Sequence, residues 1–206
     1  MAHPLLYFLV ALLTAFVATL PFGPINITVV KTTVDHNRAK AMEVSLAAAF
    51  VETGQALIAI LFGLVINAFL ADHVAVHLLI AAIFIALAVF VFVHETHPSL
   101  NTGPDDDPSF IRRGFFVAMI NPQAIPFWIF AVTAISSNLG FDYVGVSLLA
   151  FLGGVFVGKS LALYGFVIGS DYLRTHMEES SRLINRLLAA VLLLIGLNQL
   201  WRAFSG

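Results

Sequence analysis

Two ionisable residues lie inside otherwise apolar stretches of this sequence and are the residues best placed to do chemistry. Glu52 lies within AAAFVETGQALI, and Lys159 lies within GGVFVGKSLALY. A charged residue at the centre of a bilayer costs about 2.5–3.5 kcal/mol on insertion scales, so it normally faces a bundle interior and marks function. We therefore expect Glu52 to meet an ammonium group or a coupling proton, and Lys159 to meet a carboxylate. Burial favours the neutral forms of both groups, which suits residues that take up and release a proton.

A purely structural role for the same two residues is an open alternative. A buried carboxylate and a buried ammonium group are tolerated together as a close, hydrogen-bonded pair. Glu52 and Lys159 would then form one ion pair that holds their two segments together. The two roles are compatible if the pair closes at one stage of the functional cycle and opens at another.

Two proline-containing segments interrupt apolar stretches and carry carboxamide side chains. The first is PFGPIN at 21–26, and the second is INPQAIP at 120–126. Proline breaks a helix interior, and in lipid such a break is tolerated only against protein or a watery cavity. Freed carbonyl groups attract a cation, and amide groups at the N-terminus of a half-helix attract a carboxylate. A simple kink is the alternative for the first segment, but the second segment repeats the pattern.

Together these features predict one substrate site of charged groups, carboxamides and interrupted backbone. The predicted binding residues are Gly23, Pro24, Asn26, Glu52, Gln55, Asn121, Pro122, Gln123 and Lys159. Within this set, Glu52 and Lys159 are also the predicted proton-coupling residues.

Composition predicts that the elements positioning these residues are membrane helices. The chain has 206 residues, of which 60% are hydrophobic and 11% charged, whereas a soluble domain has about 45–50% apolar and about 25% charged residues. The absence of cysteine excludes disulfides, thiol relays and zinc–cysteine sites. A net charge of −2 offers no basic surface for nucleic acid. No nucleophile–base grouping or cofactor motif is present, so we expect neither enzymatic activity nor a cofactor.

Six segments reach the length of about 20 predominantly apolar residues that a membrane span requires. They cover residues 4–30, 43–67, 74–94, 114–136, 145–169 and 183–203. The proline breaks fall in the first and the fourth segments, which each begin a set of three. The sequence therefore predicts an all-α integral membrane protein of six transmembrane helices, with helices one and four broken by proline.

The same spacing predicts two inverted three-helix repeats. They would cover residues 1–94 and 114–206, joined by a cytoplasmic loop at 95–113. Short echoes support the repeat, since Val-Ser-Leu occurs at 44–46 and again at 146–148. Three helices per repeat make the second repeat enter from the opposite side. Paired broken helices in inverted halves are typical of secondary transporters that bind solute near the bilayer midplane.

The distribution of lysine and arginine predicts the orientation. Eight basic residues fall in three loops on one side, against Arg202 on the other. They are Lys31, Arg38, Lys40, Arg112, Arg113, Arg174, Arg182 and Arg186. These loops are therefore expected in the cytoplasm, with both termini outside it.

Two motifs resemble the LysE/RhtB-type family of amino-acid exporters, in the LysE superfamily. GPINITVV follows a first span, precedes a basic loop and is followed by a glycine-containing second span. Asn-Pro-Gln-Ala in the fourth segment is similar to that family's Asn-Pro-Lys-Ala, with Gln123 replacing the lysine. The resemblance covers essentially the full length. It implies a transporter of the bacterial inner membrane that exports amino acids or similar zwitterions, coupled to the proton gradient.

Metal-ion export is the alternative function, because relatives of this fold are thought to export metals. Asp72, His73 and His77 cluster near the predicted outer face, with the two histidines one helical turn apart. Carboxylate and imidazole ligands suit divalent transition metals. Against a metal site, neither proline segment carries histidine or aspartate.

Glycines give the fifth segment a small-residue face. They are Gly153, Gly154, Gly158, Gly165 and Gly169. Such faces let membrane helices pack closely. A homodimer through this face or through span six is compatible with so small a bundle, and the sequence leaves the alternatives open.

Overall fold

The computed structural model describes residues 3–21, 23–70, 109–121 and 124–172, together with single helical positions within 78–89 and 190–201; side chains at 64–70 are not described. The continuous ranges form six α-helices and contain no strand. They are α1 (Pro4–Thr19), α2 (Pro24–Asp35), α3 (Arg38–Leu70), α4 (Phe110–Met119), α5 (Ala124–Leu139) and α6 (Gly145–Ile168). The prediction of an all-helical chain is therefore confirmed over these ranges.

Length and apolar character make two of these helices able to cross a membrane alone, namely α6 and the part of α3 from Arg38 to Gly63. Two helix pairs pass the same test only when taken together. The bend is 75° between α1 and α2 and 66° between α4 and α5. The described residues thus contain two spans, or four if each bent pair is one span. The predicted segments 74–94 and 183–203 lie mostly outside the described residues, so the six-span inverted repeat stays a prediction.

Both predicted interruptions are confirmed, and the first has a clear local cause. Proline is tolerated at the first position of a helix, where its missing N–H would have no intrahelical partner. Accordingly α1 ends at Thr19, Gly23 is extended at φ −117° and ψ 177°, and α2 begins at Pro24. The second interruption separates α4 from α5 in the fourth predicted segment.

Helices α3 and α4 begin before positions 43 and 114, where the apolar stretches led us to place them. A polar side chain caps each N-terminus. Asn37 Oδ1 accepts a hydrogen bond from the backbone N–H of Lys40 at 2.9 Å. Ser109 Oγ accepts one from the backbone N–H of Arg112 at 3.3 Å. Such caps stabilise a first helical turn that hydropathy alone does not reveal.

Lys31 does not lie in a loop after span one, as its charge suggested. It lies within α2 and is buried. Because α2 continues to Asp35 and α3 begins at Arg38, only two residues separate these helices. A lysine can be buried in this way because its long aliphatic stem packs against apolar surface.

The buried apolar residues form two separate clusters. The α1–α5 cluster contains Tyr7, Ala11, Ala15, Ala56, Ala59, Ile60, Trp128, Ala131, Val132, Phe141, Tyr143, Phe151 and Val155. The α2–α4 cluster contains Ile25, Val29, Val30, Ala41, Val44, Ala48, Val51, Ala118, Leu163, Phe166 and Val167. Helix α3 contributes its earlier residues to the α2–α4 cluster and its later ones to the α1–α5 cluster, whereas α6 does the reverse. Helices α3 and α6 therefore run antiparallel.

Glycines allow the closest helix contacts in the described bundle. A Cβ atom on Gly154 would collide with the carbonyl oxygen of Phe8, and one on Gly158 would collide with that of Leu12. Both partners advance by four residues, so α1 and α6 run parallel with backbones in contact. Gly114 of α4 similarly lies against the backbone of Val44 in α3. The close-packing face predicted for span five is thus used within the chain, against α1.

Candidate functional site

The structure brings the two intramembrane charges together. Lys159 Nζ lies 2.5 Å from Glu52 Oε2, which joins α6 to α3. Lys159 is 5% exposed and Glu52 is 7% exposed. In surroundings of low dielectric each charge depends on the other, because removing one partner leaves an uncompensated buried charge.

The ion pair lies between the two apolar clusters. On α3, Glu52 and Gln55 separate the residues of the α2–α4 cluster from those of the α1–α5 cluster, and Lys159 separates them on α6. Both helix breaks fall at this level as well, since each joins a half-helix of one cluster to a half-helix of the other. We call this level, with Glu52, Gln55, Lys159 and the two breaks, the polar layer.

The side chain of Gln55 donates a hydrogen bond to a backbone carbonyl group at the second break. It lies three residues, about one helical turn, after Glu52 on α3 and is buried. Its Nε2 donates to the carbonyl oxygen of Ala118 at 3.2 Å, near the end of α4. The backbone N–H of Asn121 donates to the same oxygen at 3.3 Å. Gln55, a predicted substrate-binding residue, therefore supplies a hydrogen-bond donor to one of the carbonyl groups that the interruption freed.

The side chain of Asn26 likewise donates hydrogen bonds to backbone carbonyl groups at the first break. Its Nδ2 donates to the carbonyl oxygens of Thr19 at 2.7 Å and Pro21 at 2.6 Å. Asn26 is 1% exposed, and its Oδ1 has no hydrogen-bond partner within the described residues. The carbonyl groups that were expected to attract a cation are thus occupied by a carboxamide of the protein.

The remaining predicted site residues are only partly described. Gly23 precedes the first residue of α2 without a side-chain cap, and Pro24 is exposed. Asn121 lies two residues after the last residue of α4 and is partly exposed. Pro122 and Gln123 lie outside the described residues.

The residues of the alternative metal site also lie outside the described residues. These are Asp72, His73 and His77. Among the residues that are described, no group of three or more His, Asp or Glu side chains is placed to hold a metal ion.

Two further buried polar atoms belong to residues outside the predicted site. Over the described ranges, neither Trp128 Nε1 nor Ser160 Oγ has a hydrogen-bond partner. Ser160 follows Lys159 directly, and that adjacency was the available signal for it. Trp128 gave no such signal, because an aromatic residue in an apolar helix is usually core or lipid-facing.

A separate cavity of about 340 Å³ lies beside the segment that joins α5 to α6. It is lined by Ile60, Gly63, Val132, Thr133, Ser136, Phe141, Asp142, Tyr143 and Val144. The segment is fixed at two points: the backbone N–H of Asp142 donates to the Tyr7 hydroxyl at 2.8 Å, and the Tyr143 hydroxyl donates to the Val132 carbonyl at 3.1 Å. Burial, followed by the nearby Tyr7, raises the pKa of Tyr143 above its ordinary value, so this donor keeps its proton. No predicted site residue lines the cavity.

Replacing Asn26 with Leu is expected to destabilise the protein through the first break. Leucine has a similar size but leaves the Thr19 and Pro21 carbonyl groups without their donor, at a cost of about 1–3 kcal/mol. Thr28→Val on the same helix is the matched control, because the Thr28 hydroxyl only donates to the Pro24 carbonyl of its own helix. Thermal unfolding in detergent should show a lower Tm for Asn26→Leu than for Thr28→Val. Equal values would contradict the proposed role of Asn26 at the break.

Comparison with known proteins adds the family. A family model described as LysE type translocator matches residues 16–202, and neither a curated protein nor a solved structure matches the chain. The matched range contains both breaks and both buried charges, and it agrees with the resemblance drawn from GPINITVV and Asn-Pro-Gln-Ala. Such proteins are membrane transporters rather than enzymes, and the family implies export of amino acids or similar solutes. The chain belongs to the LysE type translocator family.

Proposed function

We propose that this protein is a secondary active transporter that exports amino acids or similar small zwitterions, driven by the proton gradient. The observation that carries the proposal is the buried Glu52–Lys159 pair in the polar layer. A zwitterion has one ammonium group and one carboxylate, so it complements both members of the pair at once. Membership of the family supports the same class of solute.

Exchange of ion pairs gives a low-cost route for binding. When the pair opens, Glu52 binds the solute ammonium and Lys159 binds the solute carboxylate. One buried ion pair is then replaced by two, and no charge is left uncompensated in the low-dielectric interior. A solute with a single charge would satisfy one member of the pair and leave the other unpaired.

Protonation of Glu52 gives a physical basis for coupling. A proton from the outside neutralises the carboxylate that holds the solute ammonium, so proton binding favours release of the solute outwards. Loss of the proton to the cytoplasm restores the carboxylate for the next solute. The solute ammonium and the proton therefore compete for the Glu52 carboxylate, which couples release of the one to binding of the other.

The helix directions support the predicted architecture of inverted repeats at 1–94 and 114–206, joined by the loop at 95–113. With six spans and both termini outside the cytoplasm, spans one and five would run the same way, as α1 and α6 do. Spans two and four would also run the same way, as the α3–α4 contact at Gly114 and Gln55 suggests. We place the protein in the bacterial inner membrane, with its partners being the solute, protons and the lipid bilayer.

The polar layer favours a zwitterion over a divalent metal ion. An ammonium group 2.5 Å from the only described carboxylate of the layer repels a divalent cation. Three of the carbonyl oxygens that a cation would use at the breaks accept hydrogen bonds from Asn26 and Gln55 instead. Metal export through Asp72, His73 and His77 is the competing outcome of the test below.

Ligand-induced stabilisation separates the two functions. The purified protein is heated with each of the common protein amino acids, and in parallel with divalent metal ions with and without a chelator. A solute that binds only the folded protein stabilises it by about 2.7 kcal/mol at a hundredfold excess over Kd, which raises Tm measurably. We expect a subset of amino acids to raise Tm. Stabilisation by metal ions alone, abolished by chelator, would favour metal export.

Flux in proteoliposomes tests the direction of coupling. An imposed pH gradient should drive accumulation of the stabilising amino acid on the acidic side. The matched control is the same vesicle with the gradient collapsed by a protonophore. Equal fluxes in the two conditions would contradict proton coupling while leaving amino-acid binding intact.

A further inference from the structure

Trp128 carries an unmet hydrogen-bond donor in the buried core. Its side chain is 0% exposed, and its Nε1 has no hydrogen-bond partner in the part of the chain that the structure describes. An indole N–H can only donate. A buried donor without a partner is costly, and in native proteins such a group often marks the place of a water molecule or a ligand. The partner that Trp128 lacks must be an acceptor.

Trp128 belongs to the part of α5 that follows the second break. It lies one helical turn after Ala124, on the buried face of α5, just beyond the second break. It belongs to the α1–α5 cluster, whose members nearest the ion pair along their helices are Ala56 on α3 and Val155 on α6. Each of these lies four residues from Glu52 or Lys159. Trp128 thus follows the second break by one helical turn on α5, with its ring packed against Phe151 of α6 at 6.2 Å between centroids, while Lys159 lies in the polar layer on α6.

Ser160, which follows Lys159 on α6, carries a second buried polar group without a hydrogen-bond partner within the described residues. Most other hydroxyl groups in the described helices donate to the carbonyl group four residues earlier, as Thr14 and Ser45 do. The Ser160 hydroxyl is buried and makes no such bond within the described residues. It is therefore free to donate to an acceptor that lies beside Lys159.

At the first break, the buried atom without a hydrogen-bond partner in the described part of the chain is an acceptor and not a donor. Asn26 Nδ2 donates to two carbonyl groups, so its orientation is fixed by its partners and Oδ1 is the atom left over. Oδ1 only accepts, so it repels a carboxylate at the N-terminus of α2 and attracts an N–H donor. An ion of one sign could not satisfy both Asn26 and Trp128.

We infer that Trp128 binds the carboxylate of the transported zwitterion, through a hydrogen bond from Nε1 that acts together with the ammonium group of Lys159. The solute then lies with its carboxylate towards α5 and α6 and its ammonium group towards Glu52 and Asn26. This inference rests on the proposed function and adds a residue and an orientation to it.

The two tryptophans of the chain make a direct test practical. They are Trp128 and Trp201, and Trp201 is 73% exposed. In the Trp201→Phe variant, Trp128 is the only indole, so its emission reports on its surroundings. We expect blue-shifted emission that moves to longer wavelength when a stabilising amino acid is added, because the N–H gains a charged acceptor. The methyl ester of the same amino acid lacks the carboxylate and is expected to leave the emission unchanged.

Transport kinetics supply the second readout. Trp128→Phe keeps the ring and removes only the donor, so we expect KM for the amino acid to rise about 10-fold or more. Trp201→Phe is the same change at an exposed position and should keep the wild-type KM. If amino acids stabilise the protein but neither the emission nor KM responds at Trp128, this inference is wrong and the proposed function stands. If no amino acid stabilises the protein, the proposed function fails, and this inference fails with it.

Discussion

Replacing Glu52 with Gln should reduce export to the level of vesicles without the protein. Glutamine has the same size but carries no charge, so it cannot hold the solute ammonium or take up a proton. It also leaves the Lys159 ammonium buried without its counter-charge, which costs up to about 3–5 kcal/mol. Lys159→Ala should also abolish export, because it removes the ammonium group that binds the solute carboxylate. Flux and Tm are measured on each variant after quantifying the protein inserted in the membrane.

Glu43→Gln is the matched control for this pair of variants. Glu43 lies on the same helix and pairs with Lys40 at 2.8 Å, but both side chains are more than one third exposed. Exposed pairs contribute about 0–1 kcal/mol, so export and Tm should stay near wild type. A Glu52→Gln variant with wild-type efflux would remove this residue from the site.

A double reversal separates a structural pair from a functional one. Glu52→Lys combined with Lys159→Glu restores an ion pair between the same two helices. A pair with only a structural role predicts recovery of both stability and export. If the pair instead binds the solute in one orientation and the proton at one position, the double variant should recover stability but not export.

Replacing Gly154 with Ala should destabilise the protein by separating α1 from α6. The added Cβ would collide with the Phe8 carbonyl oxygen and approach the Ala11 Cβ to 2.9 Å. Neither group is the end of a flexible side chain, so α1 and α6 must separate, and overpacking of this kind costs about 1–3 kcal/mol, occasionally more. We expect a clear fall in Tm and in the yield of monodisperse protein on size-exclusion chromatography.

Gly153→Ala is the control, because it changes the neighbouring glycine of the same helix. A Cβ on Gly153 meets only the Phe8 ring, at 3.8 Å, which is ordinary contact. Alanine is also the better helix former, by about 1 kcal/mol, so this variant should be neutral or slightly stabilised. If both variants lose the same stability, the contact between the two backbones is not what fixes α1 against α6.

The sequence predicts the residues of this site that break a rule of membrane helices. Glu52 and Lys159 are charges in apolar stretches, and each proline segment removes backbone hydrogen bonds where no water is available. Such violations need an explanation whatever the fold, so they can be found without coordinates. The partners that compensate for them depend on tertiary contacts. Whether Asn26 binds backbone or solute is decided by the position of Thr19, which hydropathy does not encode.

Features that obey the local rules were missed. Trp128 is an aromatic residue in an apolar helix, and only its buried N–H without a described partner sets it apart. The early start of α3 depends on one side chain, Asn37, whose hydrogen bond overrides the polar character of the first turn. The buried position of Lys31 likewise follows from the length of α2, because charge alone suggested a loop.

A core divided in two by a charged layer has one apolar barrier on each side of that layer. In the proposed function, a solute that reaches Glu52 and Lys159 from either side has to displace one apolar cluster, while the other cluster can stay packed and block the passage of ions. Because α1 and α2 are separate rods, as are α4 and α5, a half-helix on one side can tilt without dragging its continuation on the other. The proline breaks thus allow the half-helices on each side of the layer to move independently. Continuous helices would couple the two sides, so that both apolar clusters would open together.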